Sequence, residues 1–347
     1  MKKNLKNILA LCLTLALVFT LAACGQKTDV PDEPDEQQTE QQTENDTPAH
    51  YSIAALKGPT AMGLVKLMRD SESGETSGND YTFTLTTNPS DAVAKLTSGE
   101  TDIAAIPANL AATLYAKTQG GIQILALNTQ NNLYIVQTGE EVSSIASLEG
   151  KTIAVSGQGS TPEYILNYIL TANDLADKVT IHFYAEHSEV VAKLAAGEET
   201  IALLPQPFVS VAQKKMENLS IAVNMETAWE DACKKTGSTA DIAMGCVVAR
   251  REFIEQNTAA VQSFLAEYLN SIGYVSTNTK EAAKLVVQYG ILPDEGLAEA
   301  ALPSCGIAFL SGATMRDSLK PFLEILYAAN PAAVGGALPG EDFYYLP

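Results

Sequence analysis

One segment of the sequence occurs twice, with a constant spacing between the two copies. Residues Ser90–Pro107 read SDAVAKLTSGETDIAAIP, and Ser188–Pro205 read SEVVAKLAAGEETIALLP, 98 positions later with 10 of 18 residues identical. Each copy contains a helix cap, an amphipathic stretch, a glycine and an apolar run, which predicts a helix, a turn and a buried strand. Unrelated strand and helix units can acquire loosely similar sequences by convergence, but an ungapped match over 18 residues is better explained by duplication. The repeat therefore predicts two similar lobes.

Apolar strands alternate with helical patterns on both sides of the repeat. The first half contains YSIAAL, YTFTLTT and IQILAL, and the second half contains KTIAV, VTIHFY and LSIAVNM. This alternation predicts an α/β protein with mostly parallel sheets. We expect residues 51–138 and 242–347 to form the first lobe and residues 139–241 to form the second, with two crossings between them acting as a hinge.

The N-terminal residues have the pattern of a secretory signal peptide. Three lysines precede an apolar run that begins at Ile8 and ends in small residues before Cys24, so residues 1–23 are assigned to the signal. A membrane-spanning helix is the alternative, but the run barely reaches the length needed to cross a bilayer. The segment from Gly25 to His50 contains eight acids and three prolines and cannot form a core. Residues 24–50 are therefore predicted to be a solvated tether.

Charge and cysteine spacing exclude several classes of function. The formal net charge is −19 and no basic stripe is present, which argues against nucleic-acid binding. Cys233, Cys246 and Cys305 match no zinc-ligand spacing, so we expect neither a metal nor a cofactor. Buried free thiols are the expected state, although the sequence does not decide whether Cys233 and Cys246 form a disulfide.

Ligands of open parallel sheets bind beyond the carboxyl ends of the strands, where loops enter helices. The turns at those positions are KGPT, PAN, SGQGSTP and PQP, which combine glycines, prolines and neutral hydrogen-bonding side chains. In SGQGSTP a capped helix and a ligand site explain the residues equally well. Binding is favoured over capping for Asn109 and both roles stay open for Gln206, whereas a solvated or hinge-side position is the commoner outcome for a lysine such as Lys57. The candidate ligand contacts are Lys57, Thr60, Asn109, Gln158, Gly159, Ser160, Thr161 and Gln206.

The sequence offers little for catalysis. His187 follows Glu186 at a strand end, and a histidine beside a carboxylate is able to transfer protons, although such pairs are more often solvated turns. No nucleophile-elbow or metal-protease motif is found in the chain. The expected function is therefore binding without catalysis.

The residues Leu21-Ala22-Ala23-Cys24 resemble the lipobox of bacterial lipoproteins, and the segments ALKGPTAMGLVKLM, GKTIAVSGQGSTPEYILNYIL and GGALPGEDFYY extend the likeness. The chain resembles the extracytoplasmic solute-binding lipoproteins of ABC importers, in the nitrate, sulfonate and taurine (NitT/TauT) group. This resemblance implies a two-lobed periplasmic-binding-protein fold of the type II topology, and a monomer anchored to the membrane by a lipid on Cys24. It also implies capture of a small solute for an ABC permease and its ATPase. Family loop positions match Thr60, Asn109, Gly159, Ser160 and Thr161.

The nature of the solute follows less directly. Many sulfonate binders place an arginine in the cleft, whereas the arginines here are predicted within or at the start of helices, which favours a neutral or heterocyclic solute. An enzyme on the same fold, of the thiamine-pyrimidine synthase or menaquinone-pathway type, is the alternative, and the export signal argues against it. A lipid-anchored adhesin or sensor is a third interpretation. The four arginines are Arg69, Arg250, Arg251 and Arg316.

Overall fold

The structure is a computed structural model that describes residues 49–139 and 142–347. The predicted signal (1–23), Cys24 and nearly all of the predicted tether (24–50) lie outside the described residues. The strands are β1 (Ala49–Leu56), β2 (Asn79–Thr86), β3 (Ile103–Pro107), β4 (Ile122–Gln130), β5 (Leu133–Thr138), β6 (Thr152–Ser156), β7 (Thr180–Tyr184), β8 (Ile201–Pro205), β9 (Leu219–Asn224), β10 (Ala243–Arg250) and β11 (Ile307–Ser311).

Helices alternate with these strands, and none in the described part of the chain is long and apolar enough to span a membrane. The helices are α1 (Pro59–Met62), α2 (Val65–Ser73), α3 (Pro89–Ser98), α4 (Ala108–Lys117), α5 (Thr161–Ala172), α6 (His187–Ala195), α7 (Phe208–Lys215), α8 (Met225–Thr236), α9 (Arg251–Gln256), α10 (Thr258–Thr277), α11 (Thr279–Gln288), α12 (Glu295–Ala301) and α13 (Gly312–Ala329), with short 3-10 helices at Ile145–Leu148, Leu302–Ser304, Pro331–Val334 and Glu341–Phe343.

The strands form two mixed sheets with corresponding orders. The first sheet runs β2-β1-β3-β10-β4-β11 and the second runs β7-β6-β8-β5-β9. In the first, β1, β2, β3 and β4 point the same way, and in the second β6, β7, β8 and β9 do so. An antiparallel strand, β10 or β5, separates the third and fourth members of each set. The predicted two-lobed α/β fold is confirmed.

The repeated segment occupies the same place in both lobes. Its first copy forms α3 and β3, and its second forms α6 and β8. Gly99 and Gly197 stand between helix and strand with φ values of 77° and 71°, in the left-handed region that glycine tolerates without a Cβ clash. Both β3 and β8 are buried along most of their length. The duplicated sequence thus supplies the central strand of each sheet and the helix before it.

The predicted ends of the first lobe and of the tether need correction. The strand β5 was placed in the first lobe by the boundary at residue 138, but it pairs antiparallel with β8 and β9 of the second sheet. The chain therefore leaves the first sheet between Gln130 and Leu133. The chain returns to the first sheet close to the predicted boundary at residue 242, because β10 begins at Ala243. The strand β1 begins at Ala49, so His50 belongs to the sheet and not to the tether.

Apolar side chains cover both faces of the first sheet. Leu67 of α2 and Phe264 of α10 belong to a cluster on one face, and Leu96 of α3 belongs to a cluster on the other. The second of these clusters continues into the second lobe through Val155 and Ile165. One apolar core therefore connects the two lobes. The thiols of Cys233, Cys246 and Cys305 are free and buried, as expected.

The backbone near the first crossing is packed closely around Gly306. The amide of Gln130 donates to the Gly306 carbonyl over 2.8 Å. Gly306 has a φ of 64°, and a Cβ built there would lie 1.7 Å from the Gln130 carbonyl oxygen and 3.3 Å from Cβ of Asn132. Only glycine fits between the segment before β11 and the end of β4.

Replacing Gly306 by alanine is expected to destabilise the fold because backbone atoms would have to move apart. Gly99→Ala is the matched control, since Gly99 also has a positive φ but nothing lies within 4 Å of the position of its Cβ. The control change should cost roughly 1–2 kcal/mol from the left-handed conformation alone. Gly306→Ala should cost at least about 2 kcal/mol more. Urea unfolding of both variants measures the difference, and equal losses would contradict close packing at the crossing.

Candidate functional site

The candidate ligand residues follow the carboxyl ends of equivalent strands in the two lobes. Thr60 lies in α1 after β1, and Asn109 lies in α4 after β3. In the second lobe, Thr161 opens α5 after β6, and Gln206 lies between β8 and α7. The fold thus places each predicted residue at the expected edge of its sheet.

Asn109 and Thr161 come from different lobes and contact each other directly. The Thr161 hydroxyl donates to Oδ1 of Asn109 over 2.8 Å, and Nδ2 of Asn109 donates to the Ala333 carbonyl over 3.4 Å. Both side chains are buried, with 7% exposure for Asn109 and 2% for Thr161. The start of α4 and the start of α5 therefore face each other across the junction of the lobes.

Thr60 and Lys57 differ in environment although they share a turn. The Thr60 hydroxyl donates to the Leu56 carbonyl over 2.7 Å and the side chain is buried, whereas Lys57 is exposed. A Cβ built on Gly245 would lie 2.6 Å from Cγ2 of Thr60 and 2.7 Å from Oδ1 of Asn128. Thr60 is thus packed against the beginning of β10 and the end of β4.

The SGQGSTP turn is held by its own side chains. Ser160 donates its hydroxyl to the Gly157 carbonyl, and the Glu163 carboxylate accepts the amide hydrogen of Gly159. Gln158 and Gly159 are exposed, and Gly157 and Gly159 have φ values of 74° and 78°. Because Glu163 already occupies the amide of Gly159, an incoming anion would meet a carboxylate at this position.

Gln206 acts mainly as a helix cap. Its Oε1 accepts from the Ser210 amide over 3.2 Å and from the Ser210 hydroxyl over 2.9 Å. Its own backbone amide donates to the Asn132 carbonyl over 2.9 Å, which ties the start of α7 to the first crossing. Only the amide nitrogen of the side chain remains for a solute.

Three buried polar residues near this edge were missed in the sequence. Asn128 and Asn132 are 0% and 3% exposed, and Tyr268 of α10 is 0% exposed. Nδ2 of Asn128, Oδ1 of Asn132 and Oη of Tyr268 complete no hydrogen bond of ordinary geometry. Asn128 nevertheless faces the Tyr268 hydroxyl, whose pKa is raised by burial. The available signal was the polar run NTQNN at the end of an apolar strand, but nothing local linked it to Tyr268.

His187 pairs with Ser156 and not with Glu186. Nδ1 of His187 is hydrogen-bonded to Oγ of Ser156, and the imidazole centroid lies 4.9 Å from the Phe208 ring. Loss of hydration lowers the pKa of His187 to about 4. The imidazole is therefore neutral at pH 7. Glu186 accepts instead from the Ser188 hydroxyl over 3.0 Å.

All four arginines form ion pairs with aspartates. Arg69 and Arg316 pair with the aspartate that follows each in sequence. Arg250 contacts Asp102 over 2.7 Å, and Arg251 contacts Asp342 over 2.9 Å. Arg250 is the last residue of β10 and the N-cap of α9, and the other three lie in helices, so all four lie within or at the start of helices, as expected. None of the four lies in the turns that hold the candidate ligand residues.

A recess lies at the edge of the second sheet opposite to the candidate ligand residues. It is an open polar pocket of about 380 Å³ at the starts of β6 and β8, away from the candidate residues. Within residues 49–139 and 142–347, no three His, Cys, Asp or Glu side chains are grouped so as to hold a metal ion. The pocket is lined by Gly150, Lys151, Thr152, His182, Glu198, Glu199, Thr200 and Ile201.

Residues 73–291, more than half of the chain, match the sequence profile of the family described as ABC transporter, phosphonate, periplasmic substrate-binding protein. A comparison with curated protein sequences finds no match.

Solved structures share the fold. An ABC transporter structure from Parabacteroides distasonis is 24% identical with a TM-score of 0.72, over 86% of this chain and 99% of that one. The aliphatic sulphonate-binding protein of Escherichia coli is 14% identical with a TM-score of 0.68, over 87% and 93%. The nitrate-binding protein of Synechocystis PCC 6803 is 14% identical with a TM-score of 0.51, over 69% and 66%.

Removing the Thr161 hydroxyl should destabilise the protein, because Oδ1 of Asn109 would stay buried without its donor. Thr161→Val is expected to cost about 1–3 kcal/mol in the free energy of unfolding. Thr97→Val is the control, since the exposed Thr97 hydroxyl bonds only to carbonyls of its own helix, and it should change stability by about 0.5 kcal/mol or less. Chemical unfolding compares the two variants, and equal stability would argue against the contact between the lobes.

Proposed function

Because the chain belongs to the family of periplasmic substrate-binding proteins of phosphonate ABC transporters, we propose that it captures a small polar organic solute between its two lobes. Delivery to the permease and ATPase of an ABC importer then follows from the role of the family. The fold supports this role, since two similar sheets present their carboxyl ends to one another.

The contact between Asn109 and Thr161 is the observation that carries the proposal. It brings helix starts of both lobes within hydrogen-bond distance at a buried position. A solute that replaces this hydrogen bond would accept a hydrogen bond from the Thr161 hydroxyl and form another with the Asn109 carboxamide. It would thus contact both lobes. Exchange of one hydrogen bond for two of the same kind has a small net cost, so the fit of the solute decides its affinity.

The other candidate contacts follow the carboxyl ends of strands in the same two sheets. Gln158 and Gly159 are exposed at the start of α5 and are accessible to a solute, and Ser160 adjoins them. Thr60 keeps hydroxyl lone pairs for a donor, Gln206 keeps its amide nitrogen, and Lys57 would contact only an exposed part of the solute. The buried groups of Asn128 and Tyr268 in the first lobe, and of Asn132 at the first crossing, would be further hydrogen-bonding partners.

Catalysis is not part of this proposal. Two arrangements among the described residues resemble a nucleophile with its base: Ser156 with His187, and Thr82 with His50. The second lies exposed on β1 and β2, where Nδ1 of His50 also contacts Asp80 over 2.9 Å. His187, whose pKa is about 4, is a weak general base at pH 7. Its imidazole lies beside the ring of Phe208, and not beside a carboxylate that would orient it as in a catalytic triad. Family members are substrate-binding transport proteins, which agrees with binding alone.

The anchor and the assembly are also proposed. A lipid on Cys24 would hold the protein outside the cytoplasm at the membrane surface, and the acidic residues 25–48 would give it reach toward a permease. One chain contains both lobes, so capture requires only a monomer.

Solute capture is tested on full chain purified without unfolding. Small molecules released by denaturation are identified by mass spectrometry and returned to fresh protein, where a solute at a hundred times its dissociation constant should add about 2.7 kcal/mol of stability. Asn109→Ala should weaken its binding at least tenfold, whereas Asn173→Ala, at the far end of α5, should not. Equal affinity in both variants would remove Asn109 from the site.

The lipid anchor is tested by Cys24→Ser. This variant should move from the membrane fraction to the soluble extracytoplasmic fraction, because it lacks the thiol that is lipidated. Cys233→Ser is the control, since that thiol is buried in α8 and should leave the protein in the membrane fraction. If Cys24→Ser remains fully membrane-bound, the apolar N-terminal run itself is the anchor.

A further inference from the structure

The buried polar side chains at the junction of the lobes are uncharged. They are hydroxyls and carboxamides, and among the buried polar residues that the structure describes only Glu199 is charged. Glu199 lies before β8, at the edge of the second sheet away from the junction. An ion enclosed at the junction would lose its hydration and find no counter-charge. The uncharged residues are Thr60, Asn109, Asn128, Thr129, Asn132, Ser156, Thr161 and Gln206.

Beside three helix starts of the second lobe, a backbone amide of the kind that binds oxyanions donates instead to an oxygen of the chain. The Gly159 amide donates to Glu163 before α5, and the Ala185 amide donates to Glu189 over 3.1 Å before α6. The Ser210 amide of α7 donates to Gln206. Two of these three acceptors are carboxylates, so an arriving phosphonate or sulfonate would be repelled as well as excluded from the amides.

Cations at the same edge are few. The arginines are paired elsewhere, and the His187 imidazole is neutral at pH 7. Lys57 is exposed, and a Cβ built on Gly290 of the first lobe would lie 3.9 Å from its ammonium nitrogen. A hydrated lysine contributes little to binding an anion on its own.

We infer that the solute is an uncharged molecule with both donors and acceptors of hydrogen bonds, and that the junction discriminates against phosphonate, sulfonate and nitrate. This inference rests on the proposed capture of a solute between the lobes. It separates this chain from the anion named in its family description and from the sulphonate and nitrate binders that share its fold.

The test compares probes that differ in charge and little else. Calorimetric titration of the full chain at pH 7 uses ethanesulfonamide against ethanesulfonate and nicotinamide against nicotinate, with methylphosphonate and nitrate as further anions. The net charge at pH 7 of any solute released from natively purified protein is measured alongside. We expect the neutral member of a pair to bind at least tenfold more tightly, and the released solute to be neutral.

A variant that removes the Glu163 charge tests whether this carboxylate disfavours the binding of anions. Glu163→Gln should lower the dissociation constant for ethanesulfonate at least threefold relative to Glu149→Gln, which removes the same charge at the start of the second lobe, where Glu149 pairs with Lys178. No gain for Glu163→Gln over the control would remove that carboxylate from the explanation and count against the inference.

The outcomes separate the inference from the function on which it rests. Micromolar binding of an anion to the unaltered chain, or release of a charged solute, would overturn the inference and leave solute capture in place. Binding of no probe together with release of no solute would count against capture itself, and the inference would fall with it.

Discussion

The fold depends on the exchange of one strand between the lobes. The strand β5 reaches the second sheet from the first lobe and lies between β8 and β9, and β10 returns from the second lobe and lies between β3 and β4. Each inserted strand is hydrogen-bonded on both sides, so neither sheet is complete without a segment that arrives from the other lobe. This exchange fixes the carboxyl ends of both sheets near the crossings. The candidate site lies near the crossings for this reason, because its residues are in the loops and helix starts that follow those strand ends.

The sequence predicted those parts of the fold that local patterns encode. The repeat located α3 with β3 and α6 with β8, and the turns after apolar runs located Asn109 and Thr161. The boundary at residue 138 was misplaced because the alternating pattern of β5 is compatible with either sheet, and the choice depends on partners some 70 residues away. Tyr268 was missed for the same reason, since its approach to Asn128 joins positions 140 apart and leaves no mark on the neighbouring sequence.

The excess of acidic over basic side chains explains both the neutral groups at the junction and the paired charges elsewhere. The chain has 41 acidic and 22 basic side chains, so any cation left unpaired in a buried place would attract surplus carboxylates. Pairing each arginine with an aspartate in a helix or at a strand end removes that attraction from the turns that face the other lobe. The polar side chains at the junction are carboxamides and hydroxyls, whose hydrogen bonds are directional and individually weak. Such a surface recognises the pattern of donors and acceptors of a solute more than its charge.

The direct bond between Thr161 and Asn109 also sets how the lobes respond to a solute. A solute competes with contacts that the lobes already make, including this bond and the ion pair of Lys214 with Asp294 between α7 and α12. The ion pair is exposed and contributes little, whereas the buried bond leaves an unpaired acceptor when it opens. At the proposed site, the buried bond between Thr161 and Asn109 therefore resists opening of the lobes. Under the proposed capture, affinity would depend on how well the solute replaces the Thr161 donor, and a molecule that contacts only one lobe would not favour the closed arrangement.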